Sequence, residues 1–232
     1  ETDLPVVEDV DFIQALNFEF GYRTSDYSTV GRANTWKAGL NWTVNEQFLV
    51  RIMQQQATRA PNISELFSPK TTGLRNATLD PCSIKNAAKI DQRLRDLCVT
   101  TGMKATQVGV VQDIVSGQIN VLAGSNLDNP PDVETADTFT AGVVWTPNVV
   151  GVRDVVIKLD YYDVHIEDVI GTFSAQQTLN QCYTAGLPSA CANITRVDGD
   201  LTSAASGINL FTTNLDYKQA GGIELDFSFA ID

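Results

Sequence analysis

The sequence is short of basic residues and of histidine, and each deficit argues against a class of function. It has 16 lysines and arginines against 28 acidic residues, a formal net charge of −12, whereas contact with nucleic-acid phosphates needs a basic face. His165 is the one histidine, which argues against most hydrolases and metalloenzymes. We therefore predict no nucleic-acid partner, no catalytic or metal site and no cofactor.

Long apolar runs are also missing. No stretch reaches the roughly 18 consecutive apolar residues of a transmembrane helix. The chain begins at Glu1 without a basic segment followed by an apolar run, so we expect a mature segment or a fragment and no signal peptide. The hydrophobic fraction of 43% is that of a folded chain and not of a disordered acidic one.

The four cysteines form two pairs that are close in sequence, Cys82 with Cys98 and Cys182 with Cys191. Neither a C-x-x-C redox motif nor the knuckle spacing and histidine partners of a zinc site are present. We therefore predict two local disulfides, with free buried thiols as the alternative. Disulfides indicate an oxidising compartment such as a periplasm or the cell exterior.

Alternation of apolar and polar residues with a period of two dominates the chain and predicts β-strands. In two strands, aromatic residues six positions apart bracket the apolar face, Trp36 with Trp42 and Phe139 with Trp145. Six residues span about 20 Å, a distance that suits the aromatic girdles of a transmembrane barrel. The predicted strands are residues 16–23, 36–43, 48–57, 138–146, 155–162 and 223–230, with residues 2–6 as the end of a further strand.

The opposite faces of these strands carry polar residues that suit a water-filled lumen, namely Glu19, Arg23, Lys37, Asn41, Lys158 and Asp160. A secreted β-sandwich for adhesion or carbohydrate binding also has apolar inward faces and is the alternative. A glycosidase with two carboxylates comes third, since no acidic pair stands out. The acids around His165 lie on both faces of one strand, which makes a poor metal cage.

The connections between the predicted strands are short at one end of the sheet and long at the other. Residues 61–134 and 171–213 form the long ones, and in an up-and-down meander both leave from the same end. This asymmetry is typical of outer-membrane barrels, whose long loops are external. In the first loop, Asp80-Pro81 is expected to open a short helix that Cys82–Cys98 joins to its start. Six strands do not close a barrel, which needs about eight.

Five motifs along the chain resemble, in their order, the C-terminal part of the barrel of TonB-dependent outer-membrane receptors. They are Gly21-Tyr22-Arg23-Thr24-Ser25-Asp26-Tyr27-Ser28-Thr29 with Thr35-Trp36-Lys37-Ala38-Gly39-Leu40, then Arg59-Ala60-Pro61-Asn62-Ile63-Ser64-Glu65-Leu66-Phe67-Ser68-Pro69, Glu134-Thr135-Ala136-Asp137-Thr138-Phe139-Thr140-Ala141-Gly142, Asp160-Tyr161-Tyr162-Asp163-Val164 with Ile166-Glu167-Asp168, and Gly222-Ile223-Glu224-Leu225.

The resemblance implies an all-β chain: a segment of an antiparallel, up-and-down transmembrane β-barrel with six or seven strands and long external loops. It implies location in the bacterial outer membrane, contact with its lipid, and active uptake of a nutrient ligand such as a siderophore or saccharide. It implies no enzymatic activity. The plug domain, through which the periplasmic protein TonB supplies energy, and the other strands are expected outside residues 1–232.

Seven polar residues are candidates for lining the lumen or its vestibule. Arg59, Asn62 and Glu65 lie where the third predicted strand passes into the first long loop, and the alternative is that they only anchor the base of this loop. The other candidates lie on polar strand faces, where solvated or ion-paired side chains are the alternative; they are Lys158, Asp160, Glu224 and Asp226.

Overall fold

The protein is described here by a computed structural model that covers residues 1–151 and 153–230. Its strands are β1 (Thr2–Val10), β2 (Ile13–Tyr27), β3 (Gly31–Asn45), β4 (Phe48–Arg59), β5 (Thr71–Asn76), β6 (Gln118–Ser125), β7 (Glu134–Trp145), β8 (Arg153–Glu167), β9 (Ile170–Gly171), β10 (Ile194–Thr195), β11 (Gly207–Asn214) and β12 (Tyr217–Ala230). Its α-helices are α1 (Ile63–Phe67), α2 (Gln92–Thr100), α3 (Ala175–Asn180) and α4 (Pro188–Cys191), with a 3₁₀ turn at Ile84–Lys89 and a π-helical turn at Gln181–Ala185. Within the described ranges, no helix has the length and apolarity to cross a membrane.

The chain folds into two compact units. The first, called the sheet unit, contains Glu1–Pro61, Asp132–Val169 and the chain from Asp216. The second, called the inserted unit, contains Asn62–Pro131 and Ile170–Leu215. The inserted unit is therefore built from the two long connections that the sequence predicts.

The sheet unit is a seven-stranded antiparallel sheet with the order β1-β2-β3-β4-β7-β8-β12. The six predicted strands are present, and β1 is the seventh, longer than its predicted end at residues 2–6. The prediction of an all-β, antiparallel meander of six or seven strands is confirmed for this unit.

The register brings the predicted apolar faces to one side of the sheet, because paired residues in neighbouring strands project from the same face. One row across the sheet reads Phe18, Leu40, Ile52, Ala141, Tyr161 and Ile223. Within the sheet unit this face has no second layer over it, since Ile223 is 75% exposed and Leu225 is 70% exposed.

Both long connections leave the sheet and return to it at the same end. Arg59 at the end of β4 lies opposite Glu134 at the start of β7. Glu167 at the end of β8 lies opposite Tyr217, where β12 begins. The opposite end has the short turn between β3 and β4, at residues 46–47.

The inserted unit has a five-stranded sheet of its own, in which β10-β11-β6-β5 are neighbours and β9 also pairs with β11. The sequence predicts long external loops here, one of them with a short helix, and it does not indicate the strands that the structure adds within them. The pair β6–β11 is parallel, unlike the antiparallel pairs of the sheet unit. A parallel pair is not joined by a hairpin turn, so no local turn signal marks it in the sequence. The strand β6 belongs to the first long connection and β11 to the second; these connections are called the first and second excursions of the chain.

The helix in the first excursion begins later than predicted. Asp80-Pro81 does not open it; α2 begins at Gln92, with Asp91 as the N-cap that accepts a hydrogen bond from Leu94 N at 2.8 Å. The Asp80 carboxylate instead accepts a bond from Cys82 N at 2.9 Å. Asp80, which the sequence suggests as a helix cap, thus makes its contacts outside that helix.

The core of the inserted unit joins the two excursions. Disulfides link Cys82 to Cys98 and Cys182 to Cys191, the pairing that the spacing predicts. Ile119 comes from the first excursion, whereas Leu179, Leu201 and Ile208 come from the second; all four are 1% exposed or less. Because each excursion supplies only part of this apolar cluster, burial of the core requires both.

A buried ion pair crosses the same core. Arg196 Nη1 lies 2.7 Å from Asp80 Oδ2, and Arg196 Nη2 lies 2.6 Å from Asp80 Oδ1. Arg196 Nε donates to Tyr183 Oη at 3.0 Å, and this hydroxyl lies 2.7 Å from Thr101 Oγ1. Burial raises the pKa of Tyr183, although Arg196 and Thr101 oppose the shift. The neutral phenol can therefore accept from Arg196 and donate to Thr101 at once.

We predict that Arg196→Met destabilises the inserted unit by about 3–5 kcal/mol, because the Asp80 carboxylate would stay buried without a cation. Hydrogen exchange of the full-length protein should show faster exchange throughout residues 62–131 and 170–215. Arg75→Met is the matched control, since the side chain of Arg75 is exposed and donates to Leu74 O at 2.9 Å. Unchanged exchange in Arg196→Met would contradict a stabilising role for the ion pair.

Candidate functional site

The candidate site is the polar face of the sheet unit, which carries ion pairs between neighbouring strands. Lys158 Nζ lies 3.4 Å from Asp226 Oδ1, across the β8–β12 pair. Lys37 on β3 is bound by both Glu1 and Glu19. These side chains project from the face opposite the apolar row.

The central ion pair of this face spans three strands. Arg51 on β4, Gly142 on β7 and Asp160 on β8 form one row. Arg51 Nη2 lies 2.9 Å from both carboxylate oxygens of Asp160, and Arg51 Nε lies 3.2 Å from Oδ1. A Cβ at Gly142 would come within 1.9 Å of Asp160 Oδ1. Glycine between the partners therefore lets the side chains meet over the middle strand.

Four of the predicted lumen-lining residues share this face. Asp160 lies opposite Glu224, and Lys158 lies opposite Asp226. Glu224 makes no side-chain hydrogen bond or ion pair with another described residue, whereas the other three are ion-paired. Their contact with a lumen stays a prediction.

The other three candidates are held by local contacts. Arg59 pairs with Glu134, with Nε at 2.6 Å from Oε1. Asn62 is the N-cap of α1: its Oδ1 accepts from Glu65 N at 3.0 Å, and Glu65 Oε2 accepts from Asn62 N at 2.7 Å. This reciprocal pair is a capping box. The structure uses Asn62 and Glu65 to start a helix, so these contacts favour the anchoring alternative over the vestibule.

Sequence reasoning did not single out Arg51 or Gly142. The signal for Arg51 was present, because it alternates with the apolar residues Val50 and Ile52 and so belongs to the polar face. No local signal marks Gly142, whose role depends on side chains from β4 and β8 that meet above it.

We predict that Gly142→Ala lowers the thermal unfolding midpoint of the full-length protein, because the new methyl group displaces Asp160 from Arg51. In an Asp160→Ala background the same change should be nearly neutral, since the nearest remaining atom is Arg51 Nε at 3.1 Å. The coupling between the two substitutions should be roughly 1 kcal/mol, as for a partly exposed ion pair. Additive effects would show that Gly142 does not serve this pair.

Comparison with known proteins agrees with this architecture. The family model described as "TonB dependent receptor-like, beta-barrel" matches residues 6–231. No curated protein gives a significant match to the chain.

Three solved structures share the fold at low sequence identity. The siderophore receptor PirA from Pseudomonas aeruginosa is 15% identical with a TM-score of 0.51, and the match covers 91% of this chain and 28% of that one. PirA from Acinetobacter baumannii is 14% identical with a TM-score of 0.52, covering 94% and 23%. A mutant of the ferric enterobactin receptor PfeA from Pseudomonas aeruginosa, solved in complex with enterobactin, is 13% identical with a TM-score of 0.50, covering 91% and 22%.

The chain thus spans about a quarter of the length of the solved structures that it matches. The family model, in contrast, matches nearly all of the chain. Members of this family are receptors in the outer membrane of Gram-negative bacteria. The chain belongs to the TonB-dependent receptor β-barrel family.

Proposed function

We propose that this chain is part of the barrel of an outer-membrane receptor that binds a nutrient outside the cell and imports it with energy from TonB. The plug and the remaining strands would belong to the same longer receptor. The ligand would be a siderophore, a saccharide or a nutrient of similar size. Enterobactin is the ligand of one structural neighbour, and 13% identity does not carry that ligand to this chain.

The observation that carries the proposal is the uncovered apolar face of the sheet unit. In a β-sandwich, the alternative fold, a second sheet would pack on this face. Here Phe18 is 42% exposed, Leu159 50% and Leu225 70%. An apolar face that stays exposed across neighbouring strands is typical of a surface that contacts lipid.

The shape of the apolar face also supports a membrane barrel. At the end of the sheet nearest the long connections, the last apolar residues of this face on β2 and β3 are Tyr22 and Trp36. The same row of paired residues continues to Gln56 on β4, which is polar. On β4 the limit is Ile52, four residues lower, and on β7 it is Phe139, two residues lower than the Tyr22 row. On β8 and β12 it is Tyr161 and Ile223, which lie in the Ile52 row, so the net drop from β2 to β12 is four residues. A drop of four residues over five strand spacings corresponds to a strand tilt of roughly 30°, close to the roughly 35–45° of barrels.

The topology supports an orientation for the segment. Both long connections leave one end of the sheet, and outer-membrane barrels carry their long loops on the outside. The inserted unit contains both disulfides, which persist in oxidising compartments. We therefore propose that the inserted unit contributes to the external part of the receptor.

We predict that Leu225→Arg lowers the yield of the heat-modifiable, folded receptor, since an arginine facing lipid near the membrane centre costs about 2–4 kcal/mol. Glu224→Arg is the matched control, because Glu224 is the adjacent residue on the polar face and has no side-chain partner among the described residues. Semi-denaturing electrophoresis of outer-membrane fractions measures both. If Leu225→Arg instead produced a soluble, well-folded protein, the membrane proposal would fail.

Transport itself is tested in cells that depend on the full-length receptor for uptake of a nutrient. We expect uptake to stop when the receptor is deleted and when TonB is deleted. Uptake that persists without TonB would contradict the energy source, and a receptor found in the soluble fraction would contradict the location.

A further inference from the structure

The polar face of the sheet unit contains a cavity of about 400 Å³ near the end from which the long connections leave. A small-molecule site typically has roughly 300–1,000 Å³. The cavity lies over β2, β3 and β4 of this one unit. Its polar-face lining includes Glu1, Arg23, Thr35, Lys37, Gln55 and Ala57.

Arg23 differs from its neighbours because its guanidinium has no partner among the described residues. The cations toward the middle of the polar face are neutralised: Lys37 by Glu1 and Glu19, Arg51 by Asp160, and Lys158 by Asp226. Lys218 on β12 also has no side-chain partner among the described residues, but it does not line the cavity. An arginine stays charged at any physiological pH and presents five N–H donors in a planar fork. The cavity therefore contains an unused site for an oxyanion.

Two further polar side chains line the same cavity with free hydrogen-bonding capacity. Thr35 lies opposite Arg23, and Gln55 lies opposite Lys37. Both are half-buried, and neither side chain forms a hydrogen bond with another described residue. A hydroxyl and an amide both donate and accept, which suits the hydroxyl groups of a ligand.

The acids near the cavity do not occupy Arg23. Glu1 also lines the cavity, but its carboxylate is bound by Lys37, which holds Glu19 as well. The side chain of Ala57 on the cavity wall is small, whereas the aliphatic part of Lys37 covers Gly21. A carboxylate on a ligand would therefore meet the guanidinium without displacing an internal ion pair.

We infer that this cavity binds a hydroxylated carboxylic acid, with Arg23 holding the carboxylate in a two-bond fork and Thr35 and Gln55 binding hydroxyl groups. Acidic saccharides and open-chain hydroxy acids share this chemistry. The inference rests on the proposed function and deepens it, because it names the chemical class of a ligand that the receptor takes from outside.

The experiment uses the full-length receptor, purified in detergent, with isothermal titration calorimetry. The probes are D-galacturonate for the cyclic sugar acid, D-gluconate for the open-chain acid and D-galactose as the neutral control. We expect at least one acid to bind at least tenfold more tightly than galactose. Arg23→Gln should weaken that binding at least tenfold, and Arg23→Lys, which keeps the charge and loses the fork, should give an intermediate loss.

Arg32→Gln is the matched control, since Arg32 on β3 is exposed, has no side-chain partner among the described residues and lies on the opposite face. It should leave acid binding unchanged. Equal binding of galactose and the acids, no binding of either acid, or full acid binding in Arg23→Gln would each overturn the inference.

Heat modifiability is measured on every variant. It distinguishes failure of the ligand-class inference from failure of the proposed function. A heat-modifiable receptor that lacks Arg23-dependent acid binding contradicts only the ligand class. A receptor that is not heat-modifiable contradicts the proposed function and, with it, the inference.

Discussion

The inserted unit depends on one buried ion pair between residues that are far apart in the sequence. Asp80 and Arg196 belong to different excursions of the chain, and their side chains are 3% and 0% exposed. A buried ion pair contributes little net stability compared with apolar packing, but breaking it is costly. The pair therefore selects one arrangement of the two excursions. Contacts next to each disulfide fix the two partners further. Asp80 also accepts a hydrogen bond from Cys82 N, and Tyr183, adjacent to Cys182, accepts one from Arg196.

How far the sequence predicts the fold follows from the range of the interactions involved. Alternation is local, so the strands of the sheet unit and their two faces could be predicted correctly. The inserted unit is held by distant contacts, namely the parallel pair β6–β11 and the Asp80–Arg196 pair. Asp80-Pro81 resembles a helix cap, and only the position of Arg196 in space shows where the Asp80 carboxylate is used.

The same distinction applies to the candidate site. Alternation was enough to assign Lys158, Asp160, Glu224 and Asp226 to the polar face, but the partners of these residues depend on neighbouring strands. Arg51 reaches Asp160 only because glycine lies between them. Asn62 and Glu65 differ from these residues, because their contact is local. The three-residue spacing of a capping box can be recognised in the sequence, and it favours a local structural role.

The net charge of −12 is carried entirely by the sheet unit, since the inserted unit has eight basic and eight acidic residues. A free cation on so acidic a unit would ordinarily be neutralised by the nearest carboxylate. Next to Arg23, Lys37 binds both Glu1 and Glu19, and neither acid pairs with Arg23. The ion pairs of the polar face thus do more than stabilise neighbouring strands: they hold acids that line or adjoin the cavity, and the guanidinium of Arg23 stays available to a ligand there.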